Sequence, residues 1–346
     1  MTEIAPAKPN QNRIGLTRAD YSGSKSTLCT GCGHDSISNN IVSAFYQSNI
    51  DPYTVAKMSG IGCSSKTPAY FMSRSFAFNA VHGRMPSVST GVNLANRSLK
   101  LIGISGDGDT ASIGVGQFIH MIRRNLDITY VVANNGVYGL TKGQFSATSE
   151  SGASLKSGEK NPFSEIDICT LAIELGCGFV ARSFSGDSKQ LVPLISAAMR
   201  YRGTSVIDVI SPCITFNNQA SSLKSYDYVK DHRVNLQELG FIEAHDEITV
   251  EYAEGSRVVV DLPDGSHLVL SKIDSRDLDL TDKCAAVQLI EASKTKGEIL
   301  TGLFRYSARP SLVETLNLVD TPLAQLNEEQ LRPSANAMRT AFTDFR

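Results

Sequence analysis

Two short motifs in this 346-residue chain have the residue types of a metal and phosphate site. Gly106-Asp107-Gly108-Asp109 is followed roughly 25 residues on by Asn134-Asn135. The Asp107 carboxylate, the Asn135 amide oxygen and a main-chain carbonyl just beyond make a hard-oxygen cup suited to Mg2+. A helix starting after Gly108 would turn unpaired N–H groups toward phosphate oxygens held by that ion. The spacing reads as a diphosphate site, although Asp-Gly and Asn-Gly alone also mark ordinary turns.

Four of the seven cysteines add a second candidate site. Cys29 and Cys32 form a C-x-x-C in a glycine-rich stretch, Cys63 follows Gly60-Ile61-Gly62, and Cys213 follows a proline at the end of the strand-like run Val206 to Ile210. All four fall in loops, where thiolates can converge. Such a set suits zinc or an iron-sulfur cluster equally, and C-x-x-C alone also fits a redox dithiol. Cys169, Cys177 and Cys284 fall in apolar helical contexts and read as small core residues.

The elements that must position these groups follow from the apolar pattern. Leu99 to Ser105 and Ile128 to Ala133 read as buried parallel strands, and Ile113, Val115, Phe118, Ile119 and Ile122 recur at helical spacing between them. A right-handed crossover then sets Asp107 beside Asn135 at the carboxyl ends of neighbouring strands. The fold class is α/β, with a central, mainly parallel sheet flanked by helices. Three organisational units are expected: an N-terminal arm over 1–20, a cofactor domain over 21–235 and a C-terminal extension over 236–346. In the extension, Ile248 to Tyr252, Ser256 to Leu262 and His267 to Ile273 read as a small antiparallel meander. Helical stretches follow at Ala285 to Ser293 and Ala335 to Phe342. It is read as a stabilising arm, with a cover over the cysteines or a grip on a partner as the alternatives. Ser149 to Lys160 reads as a long mobile loop.

With a formal net charge of −2 and no basic run, a nucleic-acid partner is not expected. No apolar run approaches membrane-spanning length, and the polar, proline-containing N-terminus is unlike a secretory signal, so the expected location is the cytoplasm.

The motifs together resemble a known family. The GDG…NN pair is similar to the thiamine diphosphate (TPP) fingerprint, and its neighbours are Cys29-Thr30-Gly31-Cys32-Gly33-His34, Gly60-Ile61-Gly62-Cys63-Ser64, His82-Gly83-Arg84 and Tyr138-Gly139-Leu140-Thr141-Lys142-Gly143-Gln144. Over roughly residues 20–235 they resemble the β subunit of 2-oxoacid:ferredoxin oxidoreductases. The resemblance implies a TPP-binding fold in which Asp107, Asn135 and the Val137 carbonyl hold Mg2+. Gly106, Gly108 and Asp109 would approach the diphosphate through their backbones, and Ile61, Gly62, Cys63, Ser64, His82, Gly139 and Leu140 would line the cofactor. It assigns Cys29, Cys32, Cys63 and Cys213 to a [4Fe-4S] cluster close to TPP. Lys66 matches a position that contacts substrate or electron partner, and Lys66 or Arg84 would meet a second substrate carboxylate.

The implied reaction is reversible oxidative decarboxylation of a 2-oxoacid to an acyl-CoA, with single electrons passed to ferredoxin. The motif versions look most like the 2-oxoglutarate branch. Leu140 stands where pyruvate enzymes carry asparagine, and pyruvate or a branched-chain or broad-range 2-oxoacid is the alternative substrate. No second α/β domain offers the glutamate that TPP chemistry requires. An α subunit is therefore the implied partner, and the chain alone is expected to be inactive. Rival readings are a non-redox TPP enzyme with structural zinc and a noncatalytic assembly subunit.

Overall fold

The computed structural model describes residues 10–141, 143–153, 159–213, 246–262, 267–319 and 321–343. The expected domain boundary at 235, residue Lys142 and the turn at Pro263 to Gly265 lie outside these residues.

The diphosphate motif sits where apolar strands end. Lys100–Gly106 and Ile128–Asn134 pair in parallel, with Ile102 opposite Thr129 and Gly106 opposite Ala133. Every residue of Ile128–Asn134 is buried, as a strand covered on both faces must be. Period-two alternation divides it: Tyr130 and Val132 enter one core, Val131 and Ala133 the other.

Numbered along the chain, the strands are β1 (Val55–Ser59), β2 (Phe76–Asn79), β3 (Lys100–Gly106), β4 (Ile128–Asn134), β5 (Val137–Tyr138), β6 (Gln144–Phe145), β7 (Phe179–Phe184), β8 (Thr204–Ile210), β9 (Arg257–Asp261), β10 (His267–Lys272) and β11 (Ile299–Tyr306). One nine-stranded sheet runs β2-β1-β3-β4-β8-β7-β11-β10-β9, and β5 pairs only with β6. The first six strands in that order are mutually parallel, and β11 joins β7 antiparallel. Helices α1 (Gly33–Gln47), α2 (Met85–Ala95), α3 (Val115–Arg124), α4 (Ile168–Glu174), α5 (Ser188–Ala198) and α6 (Lys283–Thr295) cover the sheet. Residues of α1 and α5 fill one core, and residues of α2, α3, α4 and α6 fill the other. This is the expected mainly parallel, doubly covered architecture.

The region after 246 differs in part from its sequence reading. β9 and β10 form an antiparallel pair, but Ile248 to Tyr252 is not a strand; its Ile248, Val250 and Tyr252 pack against Leu268 and Val260 instead. The pair is also not free-standing, because β10 runs parallel to β11 and so extends the central sheet. The expected second helix forms as Ala335–Thr343 but buries no residue. Cys284 is exposed, a correction to its reading as a core residue: it lies in the first turn of α6, where its N–H is capped by Asp282. Cys169 and Cys177 are buried as expected. Within the arm, Asn12 is buried and donates to the Tyr21 hydroxyl at 2.9 Å, tying residues 12–21 to the core. The Ser149 to Lys160 loop lies partly outside the described residues; Ser149 is buried, and its carbonyl accepts from Asn161 Nδ2 at 2.9 Å.

Candidate functional site

At the carboxyl ends of β1, β3 and β4 a cleft opens, lined by His34, Ile61, Gly62, Cys63, Ser64, Gly106, Asp107, Gly108, Asp109, Ala133, Asn135, Val137, Tyr138 and Gly139. Both sequence motifs reach it. The Asn135 main-chain N–H donates to Asp107 Oδ1 at 3.3 Å, so the crossover sets the two residues side by side, while the Asn135 side-chain oxygen accepts from the Val137 N–H at 3.1 Å. Asp107 is 1% exposed and forms no ion pair among the described residues. Hydroxyls of Ser146 and Thr148 also donate to its Oδ2. A buried carboxylate held only by neutral donors carries charge that a divalent cation would neutralise.

Chain geometry shapes the rest of the cleft. After Asp107 the backbone widens into a π-type turn over Gly108–Ile113, closed by Gly114 N–H on the Asp109 carbonyl at 2.8 Å, before α3 begins. A Cβ on Gly108 would lie 2.5 Å from the Tyr138 ring, so only glycine fits between ring and turn. Burial raises the Tyr138 phenol, which stays protonated and donates to the Gly108 carbonyl at 2.9 Å.

Asp109 does more than the sequence reading gave it. Its carboxylate accepts the Gly83 N–H at 2.7 Å, the Ile61 N–H at 3.4 Å and the Ser105 hydroxyl at 2.8 Å. One buried side chain thus ties together the loops carrying Gly60-Ile61-Gly62 and His82-Gly83-Arg84.

The cysteine loops meet beside this cleft. Cys32 caps α1, and its N–H donates to the Cys29 carbonyl at 3.0 Å. The next turn brings His34 Nδ1 within 2.7 Å of Ser211 Oγ, two residues before Cys213. Burial pushes His34 down to about 4, so its ring is neutral. Cys63 follows Gly62, whose φ of +76° suits glycine, and opens the short helical segment Cys63–Ala69. Burial raises the Cys32 thiol, with Cys213, Cys29 and Cys63 each adding to the effect. Burial likewise lifts Cys63 to about 11, again with contributions from Cys213 and Cys29. Each thiolate disfavours the others, and a cationic centre would relieve this. Among the described residues no three His, Cys, Asp or Glu side chains converge as ligands of a single ion. Beneath Cys63–Ala69, the buried Lys57 ammonium donates to the carbonyls of Pro68 and Phe71 at 2.6 Å and of Met72 at 2.9 Å.

The sequence-expected cofactor residues Ile61, Gly62, Cys63, Ser64, Gly106, Asp107, Gly108, Asp109, Asn135 and Gly139 line the cleft, as does Val137. Lys66, His82, Arg84 and Leu140 are exposed on the loops around it and are not among its lining. His34 and Tyr138 belong to the lining although no role was expected of them; their places within the CxxCGH and YGL motifs were the available signal.

Fold and cleft define a TPP-binding chain, and residues 60–209 match the family described as thiamine pyrophosphate enzyme, C-terminal TPP binding domain. The 2-oxoacid:ferredoxin oxidoreductase subunit beta of Saccharolobus solfataricus is 44% identical over 191 residues, 55% of this chain and 63% of that one. The 2-oxoglutarate oxidoreductase subunit KorB of Mycobacterium tuberculosis is 31% identical over 294 residues, 82% of this chain and 76% of that one. A solved structure, 2-oxoglutarate:ferredoxin oxidoreductase from Magnetococcus marinus with 2-oxoglutarate, coenzyme A and succinyl-CoA bound, superposes with a TM-score of 0.72. It is 28% identical and matched over 96% of both chains. The chain belongs to the 2-oxoacid:ferredoxin oxidoreductase β-subunit family. It spans 63% of the Saccharolobus relative, and 65% and 61% of two β subunits from Aeropyrum pernix. Among the described residues, no helix is long and apolar enough to cross a membrane.

Proposed function

We propose that this chain is the cofactor-carrying β subunit of a cytoplasmic 2-oxoacid:ferredoxin oxidoreductase whose substrate is 2-oxoglutarate. The observation that carries the reading is that Cys63 lines the same cleft as Asp107 and Asn135, and that His34, two residues after Cys32, lines it too while bonding Ser211, two residues before Cys213. Asp107, Asn135 and the Val137 carbonyl would hold Mg2+, and the backbone of the Gly106 to Asp109 turn would receive the diphosphate. TPP in this cleft would supply a nucleophilic carbon and a cationic ring able to accept the electron pair released with CO2. A [4Fe-4S] cluster on Cys29, Cys32, Cys63 and Cys213 would carry single electrons to ferredoxin. The ferredoxin-linked names of the relatives, which imply one-electron carriers, favour the cluster over zinc.

The chain's own groups orient and enclose. Asp109 fixes two cleft loops, Tyr138 closes the turn at Gly108, and the exposed Lys66 and Arg84 offer positive charge at the rim for a second substrate carboxylate. Leu140 and His82 are assigned to the cofactor's outer contacts. The α subunit would contribute the glutamate, the coenzyme A site and most of the substrate contacts. Support for 2-oxoglutarate comes from the KorB relatives and from the substrate bound in the Magnetococcus enzyme.

Anaerobic purification tests the cluster: a brown chain with about four irons, bleached by dithionite, is expected, and a colourless zinc protein would overturn the assignment. Coexpressed with its α subunit, the complex is expected to reduce viologen faster with 2-oxoglutarate than with pyruvate or 2-oxoisovalerate. The isolated chain is expected to show no turnover.

A further inference from the structure

Behind Asp107 runs a line of buried polar groups that leads away from the cleft into the sheet. Thr148 Oγ1, 2.6 Å from Asp107 Oδ2, also stands 3.1 Å from Asn134 Oδ1. The Asn134 amide nitrogen donates to Asp208 Oδ1 on β8 at 3.0 Å, and Asp208 Oδ2 receives Arg182 Nε from β7 at 2.8 Å. Arg182 then reaches Asp167 Oδ2 at 2.7 Å. Asn134, Arg182 and Asp208 lie on β4, β7 and β8, strands in which every residue is buried.

A sheet does not need such a line for stability, since well-packed apolar residues commonly serve as well as a buried ion pair. Its geometry does give direction. Asp208 only accepts hydrogen bonds when ionised, so it selects the NH2 edge of Asn134 and turns the amide oxygen toward Thr148. Asn134 and Thr148 are buried yet border a cavity of about 120 Å³, so on one side they meet open space rather than packed atoms. Hydrogen bonds hold them, and through them the Asp107 carboxylate.

We propose that Thr148 and Asn134, anchored by the buried Arg182–Asp208 pair and assisted by the Ser146 hydroxyl, are positioning residues that hold Asp107 in the orientation in which it takes a divalent cation. This rests on the reading of Asp107 as a Mg2+ ligand. The Oδ2 atom is occupied by the two hydroxyls, and Oδ1 is left beside Asn135. Partners of this kind commonly govern metal affinity by 10- to 100-fold.

The test titrates Mg2+ into the coexpressed complex with the α subunit at saturating TPP, by calorimetry, at a temperature below every variant's Tm. Thr148→Val removes the hydroxyl at nearly constant shape and is expected to weaken Mg2+ binding about tenfold, whereas Thr148→Ser restores it to within about threefold. A merely structural threonine would lower Tm and leave the affinity unchanged. If Thr148→Val does not fold, Ser146→Ala removes the other hydroxyl from the same oxygen and is expected to weaken Mg2+ likewise. If the wild-type complex fails to bind TPP with Mg2+, the site assignment falls and the positioning role falls with it. If wild type binds, Asp107→Ala does not, and the folded hydroxyl variants stay within twofold of wild type, the positioning role alone is overturned.

Discussion

Replacing Gly108 with alanine separates steric from conformational demands on the phosphate turn. Gly108 is not among the residues with positive φ, so in backbone terms alanine would be welcome, by roughly 0.5–1 kcal/mol. Against this, the new Cβ would stand 2.5 Å from two atoms of the Tyr138 ring and 3.0 Å from a third. Ordinary contact requires the ring to withdraw by about 1 Å. It is tethered by its hydroxyl on the Gly108 carbonyl and by the β5–β6 pairing. Losing that hydrogen bond costs about 1 kcal/mol, and overpacking adds about 1–3 kcal/mol. The net destabilisation is then about 1–3 kcal/mol, a fall in Tm of roughly 1.5–4 °C for a chain of this size. Since Gly108 and Tyr138 both face the cleft, calorimetry is expected to show TPP affinity reduced about tenfold, or about 1.4 kcal/mol. Gly108→Ala combined with Tyr138→Ala removes the collision and is expected to recover part of that affinity. A single variant with Tm within 1 °C and affinity within about twofold of wild type would refute the steric account.

Other outcomes follow from the same contacts. Lys57→Met strands three buried carbonyls, and urea unfolding is expected to show a loss of about 2–4 kcal/mol, with unchanged stability counting against the ammonium as the clasp of Cys63–Ala69. Burial opposes ionisation of Asp167, yet Arg182 and the Thr170 N–H outweigh it and hold the carboxyl at about 2. Its contribution is therefore complete above its ordinary value of 3.8 and is lost as pH falls toward 2. Asp167→Asn is expected to flatten that acid limb in urea midpoints of the metal-free chain, and an unchanged slope would show that the pair carries no linkage. Cys32→Ser is expected to lower iron per chain with circular dichroism retained, and full iron content would remove Cys32 from the ligand set.

The parts of this fold that were legible in sequence are those where local pattern and burial agree. β3, β4 and β8 are apolar runs because both faces are covered, and α3 announces itself by Phe118, Met121 and Ile122 on one side. β2 escaped notice because it has only four residues and all are exposed at the sheet edge. Ile248 to Tyr252 misled in the opposite way: its apolar residues do fill a core, but from a segment outside any ladder. The lining of the cleft was readable because the glycine turns are contiguous in the chain. His34, Ser146, Thr148 and Arg182 were not, since their partners lie 177, 39, 41 and 26 positions away. A hydrogen bond across that distance leaves no periodic trace.

The turn from Gly60 to Ser64 serves two masters. Its backbone is pinned to Asp109, Ile61 to Ser64 line the cleft, and Cys63 is one of the four cysteines proposed as cluster ligands. On the proposed reading, loss of a cluster held by Cys63 would also free one wall of the neighbouring cofactor cleft. Loading of the two proposed groups would then be interdependent, each ordering the loop that the other uses.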